Sequence, residues 1–240
     1  MGRWMAGVDG CRAGWIVAAQ GPGQAPQIAV HADFGDVVAA LPPDSVLAVD
    51  MPIGLPERIG PGGRGPEALL RPLLGERQSS VFSVPSRAAV SAPDYSVACA
   101  AALATSEPPR KVSKQCFFLF PKILEIDALL RADPALSGRI FESHPEGAFM
   151  RLNGGALSEP KKVKSQPHGP GLDQRRALLE RAGLQPDLVW GTPPRGAGPD
   201  DLLDACACLV TAMRIARGEA TSLPNPPGRD AFGIPVAIWI

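Results

Sequence analysis

Apolar positions from Trp4 to Gly10 form a short run that closes on Asp9 and Gly10, the pattern of a buried strand. A second apolar run, Trp15 to Gln20, follows the tight link Gly10-Cys11-Arg12-Ala13-Gly14. Two strands joined so closely through glycine predict an antiparallel hairpin. Gln27 to His31 predicts a third strand. Phe34, Val37, Val38 and Leu41 then recur at helical spacing, and Pro42-Pro43 stops that helix. Val46 to Val49 is wholly apolar, ends on Asp50 and breaks at Met51-Pro52. The chain up to this point reads β-β-β-α-β: an α/β protein with a mixed sheet, in which a carboxylate closes two strands.

Beyond Asp50 the pattern loosens. Residues 51–138 are rich in Arg, Gly and Pro and read as a large, partly helical insertion after the fourth strand, within a single domain spanning 1–240. Tyr95 to Ala104 predicts an Ala-rich helix, and Pro121 to Leu130 another, through Ile123, Ile126, Leu129 and Leu130. Arg139 to Ser143 predicts one more core strand, ending at Glu142. Residues 151–170 read as a polar, mobile loop, and Leu172 to Ala182 as a short helix ended by Gly183. Thr192 to Pro199 is a linker before a helix that Asp200 opens and Gly218 ends. Ile234 to Ile240 predicts an edge strand.

Composition removes several classes of function. With 45% hydrophobic and 20% charged residues the chain is neither disordered nor membrane-spanning. Its longest apolar run, Val97 to Ala104, is far short of the roughly 18 residues that a span needs. Lys plus Arg equals Asp plus Glu at 24 each, so a polyanion would have to be held by a local patch. Such a patch is visible in the charge distribution. Residues 51–122 carry nine bases against five acids, and residues 151–181 seven against three, while the remaining segments are net acidic. The five Cys are scattered without a Cys-x-x-Cys pair, which fits free thiols better than disulfides or zinc. The start of the chain carries no secretion or myristoylation signal, and a cytoplasmic location is expected.

The acids are the candidate chemistry. Asp9 and Asp50 end strands, Glu142 ends another with His144 and Glu146 just beyond, and Asp201 and Asp204 share one face of the last helix at i, i+3 spacing. Carboxylates gathered within ~4–6 Å repel one another unless a cation neutralises them. Hard oxygen donors select Mg²⁺ or Mn²⁺, and two such ions ~3.5–4 Å apart can drive phosphodiester hydrolysis. The bland alternative is that strand-end Asp forms turns. Likewise, Asp in a first helical turn is favoured by ~0.3–1 kcal/mol from the helix dipole alone. The joint order strand, strand, helix favours the cation site. On this reading Asp9, Asp50, Asp201 and Asp204 hold metal and, with Glu142, are the catalytic acids. Arg12, Arg64, Arg71, Arg77, Lys122, His144, Lys161 and Lys162 are the candidate phosphate-binding groups. Gly60 to Gly65 lacks the pattern of a P-loop, and Ser79-Ser80 has no evident triad partner.

Several stretches together resemble a known family. They are Gly7-Val8-Asp9-Gly10-Cys11-Arg12-Ala13-Gly14-Trp15, Val49-Asp50-Met51-Pro52-Ile53-Gly54-Leu55-Pro56, and Leu74-Gly75 with Ser79-Ser80-Val81-Phe82 and Pro85. Pro121-Lys122-Ile123 with Glu125 and Asp127 follow, then Glu142-Ser143-His144-Pro145-Glu146 with Phe149, Lys161-Lys162, and Asp200-Asp201-Leu202-Leu203-Asp204-Ala205. The chain resembles the domain of unknown function 429 family, commonly described as predicted RNase H-like nucleases. The resemblance implies a five-stranded mixed sheet, its first three strands antiparallel, flanked by helices. It also implies metal-binding acids on the first strand, the strand after the first helix and the last helix, where Asp9, Asp50 and Asp201/Asp204 stand. The family pattern has Arg-x-Cys-Asp ahead of the Leu-Gly; Arg64-Gly65-Pro66-Glu67 replaces it here, losing the Cys and keeping the acid.

Three functions remain open on the sequence. The first is a Mg²⁺- or Mn²⁺-dependent nuclease, or hydrolase of another phosphodiester. The second is a nucleic-acid-binding or scaffold protein that keeps the fold without chemistry. The third is an ATPase or kinase relative of the actin-like group, for which the chain is short.

Overall fold

The computed structural model describes residues 2–164 and 166–240; Met1, and Ser165 of the expected 151–170 loop, lie outside the described residues. Strands β1 (Met5–Cys11), β2 (Gly14–Gln20) and β3 (Gln27–His31) form an antiparallel meander. Helix α1 (Phe34–Ala39) buries Phe34 and Val37 and leads into β4 (Val46–Val49), which pairs parallel to β1.

The connection from β4 to the next sheet strand is long. It contains α2 (Pro66–Leu70), a 3₁₀ stretch over Arg71–Ser80, α3 (Arg87–Val90), α4 (Tyr95–Thr105), α5 (Lys114–Phe117) and α6 (Phe120–Ala132). It then delivers β5 (Ile140–Glu142) parallel to β4, completing a five-stranded mixed sheet in the order β3-β2-β1-β4-β5. This is the sheet arrangement implied by the resemblance.

The C-terminal part packs against the sheet's other face. Helix α7 (Pro145–Asn153) is followed by the small pair β6 (Lys162–Val163) and β7 (Gln166–Pro167), then α8 (Gly169–Arg181), α9 (Pro186–Val189) and α10 (Pro199–Ala216). Strands β8 (Ser222–Arg229) and β9 (Pro235–Trp239) form a separate antiparallel pair, attached to the main sheet by a bridge from Trp239 to Ser143. The expected edge strand at the C-terminus thus pairs mainly with β8 and only touches the large sheet. The expected loop over 151–170 carries the end of α7 and the β6–β7 pair.

Strand alternation decides which side chains go to which layer. Ala6, Val8, Leu47, Val49 and Ile140 enter one apolar cluster with Ile123, Ile126 and Leu130 of α6 and Ala98 and Ala102 of α4. Ile16 and Ala18 face the opposite way, into a cluster with Leu202, Ala205, Cys206 and Leu209 of α10. Each fully buried Leu of that helix contributes roughly 1.5–3 kcal/mol of burial. Gly7, on the same face, is what lets α10 settle onto β1. A Cβ at position 7 would stand 1.9 Å from the Leu209 nitrogen and 2.0 Å from the Ala205 oxygen. Among the described residues no helix is long and apolar enough to cross a membrane. The five cysteines are free and buried.

Candidate functional site

Asp9 lies one residue beyond Val8 on β1, and Asp50 directly follows Val49, the last residue of β4. The Asp50 N–H donates to the Val8 carbonyl at 2.9 Å, so the two strand ends are locked side by side. Since Val8 and Val49 point into the α6 layer, the next residue along each strand turns toward α10. Gly7 brings α10 close enough for Asp204, one turn into that helix, to meet them. Asp9, Asp50 and Asp204 each offer a carboxylate oxygen, and these oxygens lie within 4.8 Å of one another.

The cluster is electrostatically loaded. Burial, then the charges of Asp50 and Asp204, raise the pKa of Asp9 well above its ordinary value. Burial and Asp204 raise Asp50 from 3.8 to about 8. Burial also raises Asp204, against the opposing pull of Lys161. Asp204 uses its Oδ2 to bind the Lys161 ammonium, while its Oδ1 is buried with no hydrogen-bond partner. Burial pulls the Lys161 pKa down, but the carboxylates of Asp204, Asp50 and Asp9 more than offset this and leave it raised. Three hard oxygen donors, one orphaned, suit a small divalent cation. The Lys161 ammonium now provides part of the positive charge that such a cation would supply.

The other expected site residues are distributed unevenly. Asp201 accepts a 2.8 Å hydrogen bond from the Gly198 N–H at the start of α10 and stands outside the three-Asp cluster. Glu142 is on the opposite face from Asp50. It pairs in register with Val49, so its side chain enters the layer of the β4–β5 connection. There both oxygens are engaged: Oε2 accepts from the Ile53 N–H at 2.7 Å, and both oxygens accept from Arg64. Burial raises Glu142 to about 7 against the pull of Arg64.

Arg64 has no donor directed at solvent. Its side chain is buried and bonded to Glu142, Glu67 and the carbonyls of Ile53 and Gly54. The acid retained in the variant motif, Glu67, therefore completes an internal ion-pair network. Arg71 is likewise turned inward, donating to the Val81 carbonyl and Ser83 Oγ. Arg77 is half-buried and Arg12 is exposed at the β1–β2 turn. Lys162 pairs with Asp200 at 2.5 Å.

A cavity of about 350 Å³ opens at the carboxyl edge of β1, β4 and β5. Asp9, Asp50, Arg64, Glu142, His144, Lys122 and Lys161 of the expected set border it, whereas Asp201 and Asp204 do not. Lys122 donates to the Gly14 carbonyl at 2.5 Å and lies 4.3 Å above the Trp15 ring. Burial lowers the His144 pKa to about 4, so its ring is neutral; Nδ1 is buried without a partner. Glu146, at the first turn of α7, also borders the cavity. Arg175 holds its Oε1 at 2.5 Å, and its Oε2 is unpartnered. Arg175 on α8 carried no signal in the sequence, because its partner Glu146 lies 29 residues away. The sequence reading also missed Phe118, an exposed aromatic on the cavity's border. The run Phe117-Phe118-Leu119-Phe120 reads as core, and nothing in its spacing marks the second ring as outward-facing.

The fold and site together define an α/β protein with an acidic cluster at the carboxyl edge of a five-stranded mixed sheet. The sequence model of the family described as protein of unknown function (DUF429) matches residues 7–229, and the chain belongs to that family. Comparison with curated proteins and with solved structures returned no match.

Proposed function

We infer that this protein is a divalent-metal-dependent phosphodiester hydrolase, a nuclease in the broad sense, with Asp9, Asp50 and Asp204 holding Mg²⁺ or Mn²⁺. The observation that carries the reading is the convergence of three carboxylates, two of them buried and one with an orphaned oxygen, with Asp9 and Asp50 facing the cavity and Asp204 behind them. A bound divalent ion would supply Lewis acidity and a nucleophilic water at neutral pH.

The chain's own groups have distinct tasks in this reading. Asp9 and Asp50 are fixed by the paired ends of β1 and β4, so their carboxylates hold position without reorganisation. Lys161 neutralises Asp204, and Lys122 offers positive charge to the phosphate. His144 is neutral, and its unpartnered Nδ1 can accept a hydrogen bond from a group bound in the cavity. Arg64 and Glu142 shape the cavity wall and keep their charges to each other. In the reaction a water oxygen bonds to phosphorus, the bond to the leaving oxygen breaks, and that oxygen takes up a proton.

The test is calorimetric titration of Mn²⁺ into wild type, Asp9→Asn and Asp50→Asn, together with hydrolysis of a generic phosphodiester. Saturable Mn²⁺ binding and hydrolysis in wild type, both lost in the variants with the fold intact by circular dichroism, support the reading. Equal behaviour of wild type and variants removes it.

A further inference from the structure

We propose that the site takes a single unpaired nucleotide-sized phosphate ester, seated with its planar group against Phe118, and does not accept a base-paired duplex. This rests on the metal-dependent reading above and specifies its substrate. Four observations support it. The cavity, at about 350 Å³, lies at the small end of the ~300–1,000 Å³ typical of sites for small molecules. Beside the charged groups it has an apolar wall, supplied by Met51, Phe82, Val84, Phe118, Leu119 and Ile238. Phe118 is 74% exposed, immediately after α5 and on the border of the cavity. A phenyl ring left in water beside an apolar pocket is a platform for another flat ring, and base–aromatic stacking is sequence-tolerant.

The fourth observation is the absence, around the described cavity, of a basic track for a polymer backbone. Arg12, Arg71, Arg77 and Lys162 do not border it. Arg64, which does, is consumed by Glu142 and Glu67, and Lys161 is bound to Asp204. Lys122 is the remaining lysine on the wall. Proteins that hold duplexes neutralise many phosphates at once, whereas this wall offers charge for about one. A nucleotide can reach such a cavity as a free small molecule or as an unstacked strand end, which costs a few kcal/mol of stacking and pairing in a duplex.

The experiment uses the full chain with Mg²⁺. Isothermal titration with AMP and with inorganic phosphate measures the contribution of the base. AMP is expected to bind about tenfold or more tightly than phosphate. Phe118→Ala should erase that advantage and Phe118→Trp should keep it. Because Phe118 is exposed, both variants should fold. End-labelled single strand and blunt duplex separate the two sources. Mononucleotide release from the single strand, with slow duplex cleavage, points to strand ends; AMP binding without strand cleavage points to small esters. AMP no tighter than phosphate, an unchanged Phe118→Ala, or internal cuts in duplex at the single-strand rate would each overturn the proposal. If Mn²⁺ also fails to bind wild type, the metal-dependent reading falls with it. If Mn²⁺ binds and Asp50→Asn abolishes that binding, only the substrate assignment falls.

Discussion

Asp50→Asn should stabilise the metal-free protein at neutral pH and flatten its dependence on pH. The folded state raises the Asp50 pKa from 3.8 to about 8, through burial and then the charge of Asp204. A carboxyl with a raised folded pKa holds its proton more tightly when folded than when unfolded. Its contribution is therefore fully present below 3.8 and is lost as pH climbs toward about 8. Each pH unit inside that window costs about 1.4 kcal/mol. Going from about pH 5 to about pH 7 thus removes about 3 kcal/mol, which for a chain of this size is a fall in Tm of roughly 6–12 °C.

Asn at position 50 cannot ionise, so the variant loses this slope. Asp9 and Asp204 lose a repelling neighbour as well, which flattens the curve further. The assay is thermal unfolding of both proteins in EDTA across that pH interval, followed by the same scan with Mg²⁺. At a concentration about 100-fold above its Kd the ion adds about 2.7 kcal/mol to wild type, offsetting the loss at neutral pH. Parallel curves for wild type and variant in EDTA would refute the account of Asp50 as a carboxyl forced into a crowded, dry acidic cluster.

Three further outcomes follow from the same geometry. Gly7→Ala places a methyl against the backbone of α10 and should cost at least the ~1–3 kcal/mol of ordinary overpacking. Any folded fraction should bind Mn²⁺ more weakly, because Asp204 is carried away from Asp9; urea unfolding and calorimetry measure the two effects. Arg64→Leu leaves Glu142 and Glu67 buried without their cation, each keeping only a backbone N–H, and should lose about 3–5 kcal/mol in urea unfolding. Arg64→Lys should recover only part of this, because one ammonium cannot reproduce the fork that binds both acids. Lys161→Met removes the cation resident on Asp204 and should tighten Mn²⁺ binding about tenfold, as expected where removing an ammonium frees a carboxylate; weaker binding would make Lys161 a supporting group instead of a competitor.

The sheet was legible because its strands alternate or run apolar over whole lengths, and because Asp9, Asp50 and Gly10 mark where they stop. The Asp cluster was legible in outline, since the acids close adjacent strands and open the last helix. Which Asp of the helix would reach the cluster was not. Asp201 and Asp204 share a face, and the choice depends on how far α10 slides along β1, which Gly7 and the Gly198 cap determine in three dimensions. Helix α7 escaped notice because its signals are only Pro145 and Glu146 at its start and Gly154 after it. Strand β8 escaped because Pro224, Pro226 and Pro227 suppress every strand cue within it. Among the motif residues, Glu125 has a structural task that spacing could not show: it accepts from the Trp15 indole N–H at 3.0 Å and from the Phe34 N–H.

Glu142 shows how a one-residue parity separates function from support. It closes β5, much as Asp50 follows β4 and Asp9 nears the end of β1, yet its register opposite Val49 sends it to the other layer. There it joins Arg64 and Glu67, while Arg87 ties Asp127 of α6 to Asp230 beyond β8 at 2.7 and 2.8 Å. The first network fastens the long β4–β5 connection to the sheet edge at Glu142, and the second fastens it to the β8–β9 turn at Asp230. The apolar wall of the cavity, from Met51 to Phe118, belongs to that connection. A buried charge network of this kind adds little net stability over an apolar core, but it fixes where the connection lies. The acids of the sheet would hold the ion, and the ion pairs of the connection hold the pocket over it. Loosening Arg64 should therefore weaken nucleotide binding more than Mn²⁺ binding in the fraction that stays folded, and equal losses would show that the two layers of the site are not separable.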